Sequence, residues 1–173
     1  MAAEGRLINS IISVEFIVML SQKARYALRA LYVLAAKPAG ATAMIAEIAA
    51  EARAPRKFLE QILLDLKKRG IVHSHRGKHG GYGLGRAAEQ ISFAEIIRAI
   101  DGPLALSPCV SVTAYRRCDD CPDETTCVTR NVLLAVRDAT AEILENRTLA
   151  EALPTLPAAP KRGRHRTGSS PPA

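Results

Sequence analysis

Apolar residues recur along most of this chain at the spacing of helix faces, and in one short central stretch they do not. From Gln22 to Lys37, the residues Ala27, Ala30, Leu31 and Leu34 share one helical face, and Pro38 with Gly40 ends the run. Thr42 is the expected N-cap of a short second helix that turns Ile45, Ile48 and Ala49 inward. After a break at Arg53-Ala54, Pro55 stands in the favoured first turn of a third helix, which carries Phe58, Leu59, Ile62, Leu63 and Leu66 at spacings of three and four. Its other faces keep Arg56, Lys57, Glu60, Gln61, Lys67 and Lys68. Two short helices joined by a tight break make a helix-turn-helix.

Gly70 closes the third helix, and the period changes. Residues 71–76 read as a strand, Gly77-Lys78-His79-Gly80-Gly81 as a turn, and Tyr82-Gly83-Leu84 as the returning partner. A hairpin placed directly behind a helix-turn-helix is a wing, whose glycines let Arg76 and Lys78 approach a duplex backbone or a narrow minor groove. On an unrelated surface hairpin the same basic residues would merely be solvated. His73, His75 and His79 also fall here, and phosphate contact or plain solvation suits them better than a metal site.

Ser92-Phe93-Ala94-Glu95 is a capping box that opens a fourth helix with Ile96, Ile97 and Ile100 inward, stopped by Gly102-Pro103. From about Thr126 a long pattern resumes, with Val128, Val132, Val136, Ala139 and Ile143 in register and Leu133, Leu134 and Leu144 beside them. A helix apolar on adjacent faces, outside the compact winged helix, needs a second surface. A homodimer supplies one, and folding back on its own domain is the alternative. The predicted fold is mainly α: a winged helix-turn-helix domain with a small β-hairpin wing and a long C-terminal dimerisation helix.

The expected organisation is a loose extension over 1–18, with Met19 as an alternative start, and a DNA-binding domain over 19–104. A cysteine-rich sensor loop spans 105–127, the dimerisation helix and a short terminal helix 128–153, and a disordered basic tail 154–173. The apolar stretch Leu7 to Leu20 is too short for a bilayer, is broken by Asn9, Ser13 and Glu15, and has no small-residue cleavage site before Ser21. The chain therefore reads as cytoplasmic, with no membrane partner.

The net charge of +7 favours an anionic partner, although Lys161, Arg162, Arg164 and Arg166 of the tail supply four of those charges. Aromatic residues are scarce and tryptophan is absent, which argues against stacking on single strands and for duplex DNA. All four cysteines, Cys109, Cys118, Cys121 and Cys127, form the pattern C-x8-C-x2-C-x5-C. Without a secretory signal, such clustered thiols bind a metal or cluster or sense redox state. Cys118 and Cys121 make a normal zinc half-site, but the second pair is not a CxxC, so zinc and a thiolate-bound cluster both stay open. Thiols that bind nothing and sense redox state directly remain a third reading. No nucleophile and base pair, Walker loop or dinucleotide fingerprint accompanies them, so neither an enzyme nor a small-molecule substrate is expected.

Three groups of residues, taken together, resemble a known family. They are Leu20-Ser21-Gln22-Lys23-Ala24-Arg25-Tyr26-Ala27-Leu28, then Phe58-Leu59-Glu60-Gln61-Ile62-Leu63, then Arg76-Gly77 with Gly80-Gly81-Tyr82. The likeness continues through Ile91-Ser92 and the cysteines to Thr148-Leu149-Ala150-Glu151, and is to the bacterial winged-helix regulators of the IscR, NsrR and RirA type, the Rrf-two family. It implies a homodimeric transcription regulator, often holding an iron-sulfur cluster that switches DNA affinity, 2Fe-2S in preference to 4Fe-4S. Cluster-binding members ligate through three cysteines, the last two separated by five residues as Cys121 and Cys127 are. Cys109 is then the first ligand, with Cys118 replacing it or competing. The fourth ligand departs from the pattern: Arg25 and Arg130 stand where some members have an acid and others a histidine, and arginine cannot ligate iron. The helix-turn-helix and wing readings put Arg56, Lys57, Glu60 and Gln61 in the major groove and Arg76, Gly77 and Lys78 on the wing contact, and the resemblance gives Glu60 the role of discriminating operators. A structural-zinc or thiol-only regulator without a cluster is the alternative.

Overall fold

The computed structural model describes residues 20–77 and 80–155. The expected N-terminal extension, the wing-tip residues Lys78 and His79, and the tail beyond Thr155 lie outside them. Five helices and one hairpin make up the described chain: α1 Gln22–Ala35, α2 Ile45–Glu51, α3 Arg56–Lys68, β1 Val72–His75, β2 Gly81–Leu84, α4 Phe93–Ile100 and α5 Val128–Glu145. Short 3-10 turns at Ala88–Gln90, Pro108–Val110 and Leu149–Thr155 complete it.

Ser21 starts α1 by accepting from the Ala24 N–H at 3.0 Å. The backbone N–H of Ser21 donates to Asp101 Oδ2 (3.1 Å), and its hydroxyl to Oδ1, which ties the start of α1 to the end of α4. The predicted face of α1 is fully buried, with Ala27, Ala30 and Leu31 at 0 % exposure. Against it pack Ile48 of α2 and Leu59, Ile62, Leu63 and Leu66 of α3, all without solvent contact. A core this tight punishes any lost methylene.

The break between α2 and α3 turns on Arg53, which adopts φ 49°, while the Ala54 N–H reaches back to the Ala49 carbonyl at 3.0 Å. That closure usually takes glycine, because a Cβ in the left-handed region is strained. Thr42 does not cap α2; the cap position is Met44, with no side-chain bond. Ala43 and Tyr82 exchange two backbone bonds of 2.9 Å, so the chain stays extended past Thr42 and the helix begins later. Pro55 sits at the cap of α3 and Arg56 is its first residue. Phe58 does not join the core but is 56 % exposed, since it falls beside the buried stripe; it meets the edge of Tyr26 with ring centroids 6.4 Å apart.

In the wing, β1 and β2 pair antiparallel from Val72↔Leu84 to His75↔Gly81. Gly81 is obligatory: at φ 148°, a Cβ there would lie 2.3 Å from the Ala43 carbonyl oxygen. The capping box of α4 is half made. Ser92 Oγ accepts from the Glu95 N–H (3.2 Å), but the Glu95 carboxylate pairs with Arg86. On α4, Ile96 is fully buried, whereas Ile97 and Ile100 are half-buried. Among the residues of α5 none is buried, and Val128, Val132, Val136 and Ile143 are exposed. After α5 the chain returns: Thr148 bridges Ser92, and Leu149, at 0 % exposure, enters the core between the helices.

Candidate nucleic-acid interface and thiol cluster

Opposite its core stripe, α3 presents Arg56, Lys57, Glu60, Gln61, Leu64 and Lys68 to solvent. Arg56 Nε lies 3.4 Å from Glu60 Oε1, one turn on. Gln61 Nε2 donates to Asp65 Oδ1 at 3.1 Å, and Asp65 also holds Lys68 (3.2 Å) and, from α1, Lys23 (2.8 Å). The bond from Lys23, ahead of those from Lys68 and Gln61, holds the Asp65 carboxyl below the usual aspartate range. That ion cluster ties α3 to α1, while the buried stripe Leu59, Ile62, Leu63 and Leu66 sets which side chains face outward. Leu64, 46 % exposed in the middle of this polar face, was not singled out by its sequence spacing alone.

The wing is held to α3 by Lys67 Nζ, which donates to Ser74 Oγ at 2.6 Å. Arg76 and Gly77 are exposed at its tip, with Gly77 at φ 111°. His73 is neither free nor aimed outward. Its Nδ1 donates to the Leu84 carbonyl across the hairpin (2.8 Å), and its ring stacks edge-on with His75, centroids 4.8 Å apart. The described part of the wing and α3 thus form one basic surface.

The four thiols are all free. Cys109 is buried on the Pro108–Val110 turn, 3.3 Å from Ser107 Oγ. Interaction of the Cys118 S–H with the Cys109 sulfur, then loss of hydration, pushes the Cys118 thiol upward, with Cys121 adding to it. Cys118 and Cys121 close one turn, the Cys121 N–H donating to the Cys118 carbonyl at 3.3 Å. Cys127 stands at the head of α5, where its Sγ accepts from the Arg130 N–H at 3.4 Å. Cys109, Cys118 and Cys121 are therefore neighbours, and Cys127 is the cap of the next helix. The donor type is that of an iron-sulfur centre. As arranged, no three histidine, cysteine, aspartate or glutamate side chains among the described residues form a group that could hold a metal ion.

Around the thiols the loop is braced by charge. Glu124 accepts from Tyr115 and lies 4.0 Å from both Arg117 Nε and Arg130 Nε. Asp123 accepts from the Thr125 N–H (2.9 Å) and two hydroxyls, and those bonds keep its carboxyl below the usual range. Arg130 Nε is buried without a hydrogen-bond partner. Arg25 is exposed on α1. The contact that sequence reasoning missed is Arg137: from the third turn of α5 its Nη1 reaches the Val110 carbonyl, 2.7 Å away, while Asp138 orients the guanidinium. No local signal marks such a pair, 27 residues apart.

A family model described as Rrf2, an iron-dependent transcriptional regulator, matches residues 20–155. The chain belongs to the Rrf2 family. An Rrf2-like helix-turn-helix transcriptional regulator of Rhodobacter capsulatus is 44 % identical over 138 residues, 78 % of this chain and 92 % of that protein. IscR of Escherichia coli is 30 % identical over 152 residues, 88 % and 90 % of the two chains. Among solved structures, CymR of Bacillus subtilis, the global cysteine regulator of that organism, superposes with a TM-score of 0.66 at 28 % identity, covering 82 % of this chain and all of that one. This Rrf2 protein is thus a transcriptional regulator with a winged-helix fold, related to both IscR and CymR. Among the described residues no helix is long and apolar enough to cross a membrane.

Proposed function

We propose that this Rrf2 regulator binds duplex DNA as a homodimer, and that the state of Cys109, Cys118, Cys121 and Cys127 sets its affinity by shifting α5. The observation that carries this reading is the double attachment of the thiol loop to α5. Cys127 caps the helix, and Arg137 grips the carbonyl next to Cys109. Any change that draws the thiols together or apart is therefore transmitted to α5 as a displacement of its first two to three turns.

The exposed stripe Val128, Val132, Val136, Ala139 and Ile143 on α5 is the proposed seam. Burying each large side chain of it stabilises a dimer by up to about 1.5–3 kcal/mol, before association entropy is subtracted. The pairing spaces two reading heads over two half-sites. In each head Arg56, Lys57, Glu60 and Gln61 of α3 enter the major groove, and Arg76, Gly77 and Lys78 of the wing meet the backbone or minor groove.

Cys109, Cys121 and Cys127, with Cys118, are the residues that would hold an iron-sulfur cluster, 2Fe-2S in this reading. When bound it supplies a redox-responsive centre that oxidants and nitric oxide dismantle. A thiol-only regulator is the second reading. It is favoured by the likeness to CymR, a cysteine regulator, and by the nearness of the Cys109 and Cys118 thiols.

Anaerobic reconstitution with iron and sulfide separates the two. Visible absorption with stoichiometric iron and sulfide, abolished by Cys127→Ala and accompanied by a change in operator affinity, supports the cluster. A peroxide-driven affinity change with loss of free thiols, and no visible absorption after reconstitution, supports the thiol reading. Equal affinity in every state overturns both.

A further inference from the structure

Along the outward face of α3 most polar side chains are already engaged: Arg56 with Glu60, and Gln61 and Lys68 with Asp65. Between them stands Leu64, an exposed apolar side chain outside the buried core. The four buried leucine and isoleucine side chains of α3 occupy one face, and at 100° per residue Leu64 falls nearly opposite their centre. Lys57, Gln61 and Lys68 lie at minus seven, minus three and plus four from it, all on that same outward face. The face is cationic at both ends and apolar in the middle.

A helix seated in a major groove meets one apolar group on base edges, the C5 methyl of thymine. We infer that Leu64 is a specificity-determining residue that reads a thymine methyl in each half-site. This rests on the proposal that α3 enters the major groove. The surrounding charge commits the surface to a polyanion: Lys57 carries no partner among the described residues, and Lys67 and Lys68 flank the next turn. The four-residue rise from Glu60 to Leu64 is about 6 Å. For a helix lying along the groove, the thymine sits about two base pairs beyond the position that Glu60 tests, at about 3.4 Å per step.

Duplexes recovered from a random-sequence pool by the full-length protein are resynthesised with deoxyuridine replacing each thymine in turn, which removes the methyl and leaves every hydrogen-bonding group. Wild type is expected to lose about fourfold in affinity at one thymine per half-site, the effect of one methyl returned to water. Leu64→Ala, a conservative truncation on an exposed helix face, is expected to bind the deoxyuridine and thymine duplexes equally and to keep wild-type helicity. Insensitivity of wild type at every thymine, or an undiminished methyl effect in Leu64→Ala, overturns the inference. A change in oligomeric state with Leu64→Ala does so too, by making the residue a protein contact. Lys57→Ala and Arg76→Ala in parallel distinguish the two levels: if both leave affinity unchanged, α3 and the wing are not the DNA face at all.

Discussion

Replacing Arg137 by alanine is expected to uncouple the thiol loop from DNA affinity. Its guanidinium donates to the Val110 carbonyl at 2.7 Å, and Val110 is 1 % exposed. Asp138 Oδ1, accepting from Nε at 2.8 Å and from Nη2 at 2.5 Å, holds the group in that pose. A charge-assisted bond to a buried carbonyl contributes roughly 1.5–3 kcal/mol. Water replaces part of that here, because the arginine side chain is 21 % exposed. About 1.4 kcal/mol of coupling remains, a factor of about ten in the ratio of operator affinities between two thiol states. Fluorescence anisotropy with a labelled operator, on cluster-loaded and cluster-free or on reduced and oxidised protein, gives that ratio directly. Arg137→Ala should fold, keep all four thiols and whatever absorption the wild type acquires, yet compress the ratio about tenfold. Arg137→Lys, which keeps the charge but cannot serve both Val110 and Asp138, should fall between. A variant ratio within twofold of wild type would falsify the transmission argument.

Three further outcomes are expected. Gly81→Ala should lower stability by about 3 kcal/mol, from a strained positive φ and the loss of two backbone bonds to Ala43, read as a fall in the urea midpoint; an unchanged midpoint would contradict the close approach. Asp65→Asn should cost about 1 kcal/mol at neutral pH. Because the folded carboxyl titrates below its unfolded value, that contribution is full above about pH 5 and is lost as pH falls through the folded pKa, so wild-type and variant stabilities should converge in acid rather than in base. Glu60→Ala should broaden the sequences recovered in a binding-site selection without abolishing affinity, and an unaltered ranking of operators would remove Glu60 from base reading.

Helix faces were legible in the sequence wherever one residue period decided burial. Leu59, Ile62, Leu63 and Leu66 repeat at three and four and are all buried. Phe58 misled because hydrophobicity was read as burial, whereas its angle on α3 lies off the stripe. Thr42 was a sound cap by residue type, but the tertiary pairing of Ala43 with Tyr82 outweighed it. The wing's glycines signalled a turn; that Gly81 is required by a neighbouring carbonyl of residue 43 was beyond any local pattern. Cysteine spacing announced the candidate site, yet its wiring through Arg137 and the charge brace on Glu124 depend on contacts between residues far apart in sequence or inside a loop without period.

The return of the chain after α5 changes what the cysteine-bearing segment is. The segment leaves the DNA reader at Asp101, bonded to Ser21, and re-enters where Thr148 bridges Ser92, at opposite ends of α4. With eight residues in α4, those points are about 12 Å apart. Residues between them are spliced into the reader rather than hung from it, and cutting the chain before α5 would strip Leu149 from the core. Lengthening such an insert is inexpensive, about 0.6 kcal/mol per doubling of a flexible loop, so foreign segments with matching ends should be graftable in its place. Ordering the insert, by contrast, shortens the loop that unfolding must open. Whatever occupies the thiols is then felt as heat stability of the DNA reader itself.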